Sequence, residues 1–148
     1  MNFKAILLII SFVSGSAGVV LAETPANYAG VGIRVGLNDE VRGVIDSKVK
    51  LTNLGDLSLS ARPALLFGST VELRAPITIE GQLVKGFFPY TGAGISYNKD
   101  GNSSINPVIT GGLDIGITRN LVVDLKLNVV FTSDNTDKEF IAALNYAF

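Results

Sequence analysis

The sequence predicts an all-β fold, an eight-stranded antiparallel up-and-down transmembrane β-barrel. Apolar residues alternate with polar or small ones over most of residues 28–148, which is the period of a β-strand. One face of this alternation carries the charges, and the other face is almost uncharged. After residue 22, no uncharged run reaches the ~20 residues that a transmembrane helix needs.

Eight segments follow the strand period. The clearest covers residues 121–131, with Leu121 and Val123 on one face and Asp124 and Lys126 on the other. Its ten residue steps of about 3.3 Å span roughly 33 Å, which at a tilt of about 40° matches the ~25 Å height of a lipid-facing band. The segments over 41–52 and 87–97 are less regular. The predicted strands are 29–36, 41–52, 57–67, 71–80, 87–97, 109–118, 121–131 and 140–148.

Residues 1–22 have the pattern of a secretory signal peptide. Lys4 precedes an apolar run over 5–13, and Val20, Leu21 and Ala22 form a small-residue cleavage site. We expect cleavage after Ala22, which leaves residues 23–148 as the barrel domain. The alternative is an uncleaved membrane-anchor helix, which the Ser and Gly residues at 14–16 weaken.

The charged face favours a membrane barrel over a soluble one. A soluble lipocalin-type barrel has the same period but an apolar interior and a polar surface, and a carrier of that kind is the alternative. A lysine or arginine that faces lipid at mid-depth costs about 2–4 kcal/mol, so a charge-free face over eight strands predicts lipid contact. We assign the opposite face to a lumen charge network of six cations and five anions, namely Arg34, Asp46, Lys48, Lys50, Arg62, Glu72, Arg74, Glu80, Asp114, Asp124 and Lys126.

Composition narrows the function. The sequence has no cysteine, which removes disulfides, thiolate nucleophiles and cysteine metal sites. It has no histidine either, so the commonest general base and metal ligand are missing. The net charge of −1 gives no basic excess for phosphate contacts. Few enzyme mechanisms remain, and we predict no cofactor, no metal site and no nucleic-acid partner.

Two patches give the chain a resemblance to the small bacterial outer-membrane barrels of the OmpA/OmpX type. One is the C-terminal alternation of Phe140, Leu144, Tyr146 and Phe148, similar to the terminal-aromatic signal that the outer-membrane assembly machinery reads in that family. The other is the strand 89–97, similar to a Pro-Tyr-x-Gly-x-Gly pattern common there. The resemblance implies a Gram-negative envelope protein in contact with outer-membrane lipid. Barrel enzymes of related fold rely on a catalytic His that this chain lacks. We therefore predict no enzyme.

A lumen of eight strands is only wide enough to be filled by side chains. Buried charges are tolerated when they are paired, so we expect a salt-bridged plug and a structural or surface-interaction role with an unknown external partner. The alternative is a narrow channel for small solutes or ions. Inward glycines would make room for long side chains, and aromatic residues near strand ends would form interfacial girdles. The girdle residues are Tyr28, Phe67, Phe87, Phe88, Tyr97, Phe131, Phe140, Tyr146 and Phe148.

Overall fold

The computed structural model describes residues 26–36, 41–98, 104–133 and 135–148. The predicted signal peptide and its cleavage position lie outside these residues. The described chain forms one closed antiparallel sheet, because β1 pairs with both β2 and β9. The predicted fold class is confirmed. The strands are β1 (Asn27–Gly36), β2 (Arg42–Leu54), β3 (Leu57–Ala61), β4 (Ala64–Phe67), β5 (Val71–Glu80), β6 (Phe87–Asn98), β7 (Ser104–Gly116), β8 (Leu121–Phe131) and β9 (Thr136–Ala147).

These nine segments make eight positions around the ring, because β3 and β4 are two halves of one barrel strand. Both halves pair with β2 on one side and with β5 on the other. The interruption falls at Arg62 and Pro63, next to Pro76 of β5. Proline has no N–H to give to a ladder, so two prolines at one place on adjacent strands break the pairing. The predicted strand 57–67 is therefore present but divided.

Two hydrogen bonds pair the backbone groups that the break would leave without a partner. The backbone N–H of Arg62 donates to the carbonyl of Pro76 at 3.0 Å. The carbonyl of Pro63 accepts from the Ser47 hydroxyl at 2.6 Å. Ser47 follows the buried Asp46 and precedes the buried Lys48, so it stands on the outward face. A polar side chain on that face thus satisfies a backbone group that hydrocarbon would leave unpaired.

Burial alternates along each strand and identifies the two faces. In β5 the buried residues include Glu72, Arg74 and Glu80, whereas Val71 and Leu73 are exposed. Charged side chains point into the barrel, and large apolar ones cover its outside, as the alternation in the sequence predicts. Among the described residues, no helix is long and apolar enough to cross a membrane.

Two strands begin four or more residues earlier than the sequence indicates. β7 begins at Ser104 rather than at residue 109, and β9 begins at Thr136 rather than at Phe140. At the start of β9, the Thr132 N–H donates to the Asn135 carbonyl at 2.9 Å, and Phe131 pairs directly with Thr136. Backbone pairing in β9 therefore starts before Phe140, the first apolar residue of the predicted strand, and Lys138 and Glu139 are strand residues.

The expected aromatic girdle holds for only part of the set. Phe67, Phe131, Phe140, Tyr146 and Phe148 are exposed near strand ends, and Tyr97 is half-buried. The expectation is wrong for three residues that are buried instead, namely Tyr28, Phe87 and Phe88. Tyr28 points into the lumen, where its hydroxyl donates to Asp114.

Replacing Ser47 by alanine tests the repair at the divided strand. The substitution leaves the Pro63 carbonyl without its donor, and we expect it to lower the free energy of unfolding by about 1–3 kcal/mol. Urea unfolding of the refolded barrel in lipid vesicles, followed by far-UV circular dichroism, measures this. Ser58→Ala is the control, because the Ser58 hydroxyl bonds only the exposed Asn53 side chain. Equal stability of the two variants would contradict the proposed role of Ser47.

Candidate functional site

The charged side chains of the lumen form two groups. The distal end of the barrel is the end opposite residues 27 and 148, which are themselves hydrogen-bonded neighbours. On the inward face of β2, Val44 lies between Arg42, which belongs to the group near the distal end, and Asp46, which belongs to the group at the centre. Val44, Ala64, Leu66 and Ile141 form one buried apolar cluster. The distal group consists of Arg34, Arg42, Arg74, Glu72 and Glu139, and the central group consists of Lys48, Arg62, Lys126, Asp46, Glu80, Asp114 and Asp124.

Arg62 is the hub of the central group. Its Nη2 lies 2.9 Å from carboxylate oxygens of both Glu80 and Asp114. Its Nη1 donates to the Tyr28 hydroxyl at 2.7 Å. The guanidinium also stacks on Tyr90, 3.5 Å from the ring centroid, a favourable cation–π arrangement. Arg62 is 0 % exposed, so its side chain fills the middle of the lumen.

Two lysines complete the central group. Lys48 lies 3.0 Å from Glu80. Lys126 bridges two carboxylates, at 2.8 Å from Asp46 and 3.1 Å from Asp124. Each lysine therefore has a partner on another strand, and the lumen cross-links β2 to β5 and to β8.

Glu139 is the hub of the distal group. It accepts hydrogen bonds from Arg34 and from Arg74 Nη2, the latter at 3.0 Å. Asn128 donates to its other oxygen at 3.0 Å. Glu72 is the second anion, 3.2 Å from Arg74 and 3.4 Å from Arg42.

The structure brings together all the predicted lumen charges except Lys50. Lys50 is half-exposed near the terminal end of β2 and forms no ion pair with the described residues. Arg42 and Glu139 belong to the network but were missed. Glu139 lies just before the predicted strand 140–148, and Arg42 lies at the start of the predicted strand 41–52 but was not assigned to its charged face. With these changes the ion pairs among described residues contain six cations and six carboxylates. Charges of opposite sign are thus balanced inside the barrel.

Small residues make room for this packing. Gly112 lies under Tyr90, and a Cβ added to Gly112 would stand 2.5 Å from the Tyr90 hydroxyl oxygen. That hydroxyl donates to Asp124, so the glycine lets the tyrosine reach its acceptor.

The described lumen residues form a network of ion pairs and hydrogen bonds. The described residues contain no group of three or more acidic side chains that could hold a metal ion. A cavity of about 100 Å³ lies above the distal group, lined by Arg34, Arg42, Arg74, Glu72 and Asp137 among others. The predicted C-terminal signal residues Phe140, Leu144, Tyr146 and Phe148 lie elsewhere, exposed on the outward face of β9 and its end.

Glu139→Gln tests the distal hub. Removal of one charge from a buried network leaves its partners uncompensated, so we expect a loss of about 3–5 kcal/mol in unfolding free energy. Lys50→Gln should change that free energy by no more than about 0.5 kcal/mol, as for other surface substitutions. Urea unfolding of both variants in the same vesicles makes the comparison. A larger loss in the Lys50 variant would contradict the observed network.

Gly112→Ala tests the packing below Tyr90. We expect overpacking to lower the unfolding free energy by about 1–3 kcal/mol. Gly43→Ala is the matched control, because Gly43 is also in a strand and a Cβ added there meets nothing within 4 Å. The midpoints of urea unfolding give the difference. Equal midpoints would contradict the close packing of Gly112 against the Tyr90 hydroxyl oxygen and the Leu125 carbonyl oxygen, each 2.5 Å from the added Cβ.

Comparisons with known proteins place the fold among membrane barrels. No family model and no curated protein matches the sequence. A de novo designed transmembrane β-barrel matches the structure with a TM-score of 0.62 and 17% identity, over 84% of this chain and 98% of the designed one.

Two natural outer-membrane barrels match as well. The N-terminal β-barrel domain of Pseudomonas aeruginosa OprF has a TM-score of 0.56 and 10% identity, over 85% of this chain and 100% of that domain. The attachment invasion locus protein Ail of Yersinia pestis, in complex with the heparin analogue sucrose octasulfate, has a TM-score of 0.60 and 12% identity. The match covers 84% of this chain and 100% of the Ail chain. The chain has the fold of the small eight-stranded transmembrane β-barrels.

Proposed function

We propose that this protein is an outer-membrane β-barrel with a structural or surface-interaction role, whose lumen is plugged by its charged network. The observation that carries the proposal is the burial of Arg62 at the middle of the barrel, where its guanidinium binds Glu80, Asp114 and Tyr28 at once. A cation held by several buried partners stays in place, because moving it would leave those partners unpaired. Ions and solutes then have no path through.

The distal rim supports the surface-interaction part of the role. Polar side chains line the distal cavity beside its arginines, among them Asn98, Asn106, Thr132 and Asp137. The similar protein Ail is described as an attachment protein and binds a heparin analogue. A closed barrel that presents polar side chains at one end suits contact with an external partner.

Localisation and biogenesis are part of the same proposal. Residues 1–22 direct secretion and are removed, and the assembly machinery reads Phe140, Leu144, Tyr146 and Phe148. The outward exposure of these four side chains, from 41 to 76 %, supports a surface that another protein can read before lipid covers it. The mass of the protein recovered from outer membranes tests the cleavage position, and chain retained at full length in the inner membrane would overturn it.

We propose no enzymatic activity and no nucleic-acid partner. The absence of His and Cys from the sequence supports the first point, and the net charge of −1 supports the second. Esterase, acyltransferase or protease activity in the pure protein would contradict the proposed absence of enzymatic activity.

The second candidate is a narrow channel for small solutes or ions. The observation in its favour is the distal cavity, which leads from the barrel mouth to charged side chains of the lumen. For conduction, the Arg62 network would have to rearrange.

Planar-bilayer conductance separates the two candidates. We expect the wild-type barrel to give no unitary steps, because the hub side chain and its partners fill the lumen. The double variant Arg62→Ala/Glu80→Ala removes a cation and an anion together and should give small steps, which shows that the assay can detect an opened lumen. Heat-modifiable gel mobility checks that both proteins are folded. Reproducible steps from the folded wild type would favour the channel.

A further inference from the structure

One charged residue stands on the outward face of the described strands. The extension of β9 to Thr136 puts Lys138 on the same face as Phe140 and Leu144, and its side chain is exposed. The other outward positions of the described strands are apolar or uncharged. A lysine on a lipid-facing surface has a free-energy cost of about 2–4 kcal/mol at the bilayer middle and of about 0–1 kcal/mol near the interface.

Lys138 lies near the interface by its position in the strand. It is the third residue of β9, which begins at Thr136, so it stands about 7 Å from the strand end at about 3.3 Å per residue. A flexible lysine stem carries the ammonium further toward the polar boundary. Lys138 forms no ion pair with the described residues. The Lys138 ammonium can therefore bind an anion at the distal edge of the apolar outward face.

An apolar groove lies directly beside this lysine. The groove has a volume of about 360 Å³ and runs over β1, β9 and β8. Its lining consists of Val35, Leu127, Val129, Phe140 and Lys138, together with Gly36 and the lumen-facing, buried residues Asn128 and Glu139. In register, Lys138 faces Val129 and Phe140 faces both Leu127 and Val35. The cation thus stands within the wall of the groove.

A second outward groove provides a comparison within the same molecule. It lies near the terminal end, where Leu57, Ile79, Leu83 and Pro89 are among its lining residues, and no lysine or arginine lines it. The two grooves share an apolar lining, and only the distal one has a cation. An apolar slot with one cation at the membrane boundary is complementary to an acyl chain that ends in a negatively charged headgroup.

We propose that Lys138 and the distal groove bind one anionic lipid, with the lipid phosphate against the Lys138 ammonium and an acyl chain along Val129, Leu127 and Phe140. The site goes beyond the proposed function and requires only that the barrel sits in a membrane. A bound lipid of this kind would cover the β1–β9–β8 seam, where the first and last strands close the ring.

Native mass spectrometry of the barrel released from nanodiscs tests the site. The nanodiscs contain phosphatidylcholine with a minor fraction of phosphatidylglycerol, and the ratio of the two lipids retained by the protein is compared with the ratio supplied. We expect the wild type to retain phosphatidylglycerol preferentially, and Lys138→Gln to lower that preference about fivefold, equivalent to about 1 kcal/mol for one cation at a membrane surface.

Two variants serve as controls. Lys138→Arg keeps the charge and should keep the preference. Lys85→Gln removes an exposed cation from the turn at the other end and should leave the preference unchanged. Heat-modifiable mobility and bilayer silence of the Lys138→Gln barrel separate a failure of this site from a failure of the proposed function.

Three outcomes would overturn the inference. They are equal retention by the wild type and Lys138→Gln, retention that only follows the supplied ratio in the wild type, and wild-type dimers that Lys138→Gln abolishes. The last outcome would assign the groove to a second copy of the chain instead of a lipid.

Discussion

Closure of the backbone hydrogen-bond ladder is the constraint on which the rest of the structure depends. Hydrocarbon offers no partner to a free N–H or C=O, so the first and last strands must pair, as β1 and β9 do over residues 28–36 and 139–147. Between β3 and β4, where prolines interrupt the ladder, the Ser47 hydroxyl donates to the Pro63 carbonyl in place of a backbone N–H.

A closed ladder gives each strand one face toward lipid and one toward a narrow lumen, and the charges follow from that geometry. The charged side chains at the middle of the lumen are buried, so each cation there needs an anion within contact distance. Arg62 binds two carboxylates in the central group, and Glu139 accepts hydrogen bonds from two arginines in the distal group. The same side chains that make the barrel polar inside thus also fill it, and the plugged lumen underlies the proposed role.

Much of this was predictable from the sequence because the period of alternation is a local property. The eight strand positions, the two faces and nearly all the lumen charges follow from it. Its failures lie at strand ends. Glu139 and Lys138 precede the first apolar residue of the predicted strand 140–148, where pairing with β8 extends the ladder. Arg42 is the first residue of β2, where it pairs with Arg34 of β1. Tyr28 looked like a girdle residue because an aromatic at a strand end suits either the interface or a polar lumen partner.

The sequence by itself determined the class of the protein, since a strand period with charges on one face and no transmembrane-length apolar run allows few folds. Only the tertiary structure decided which charges meet. Glu80 and Asp114 are far apart in the chain and belong to different strands, yet both contact Arg62. The strand tilt and stagger of a closed barrel set such meetings, and these depend on the pairing of all strands at once.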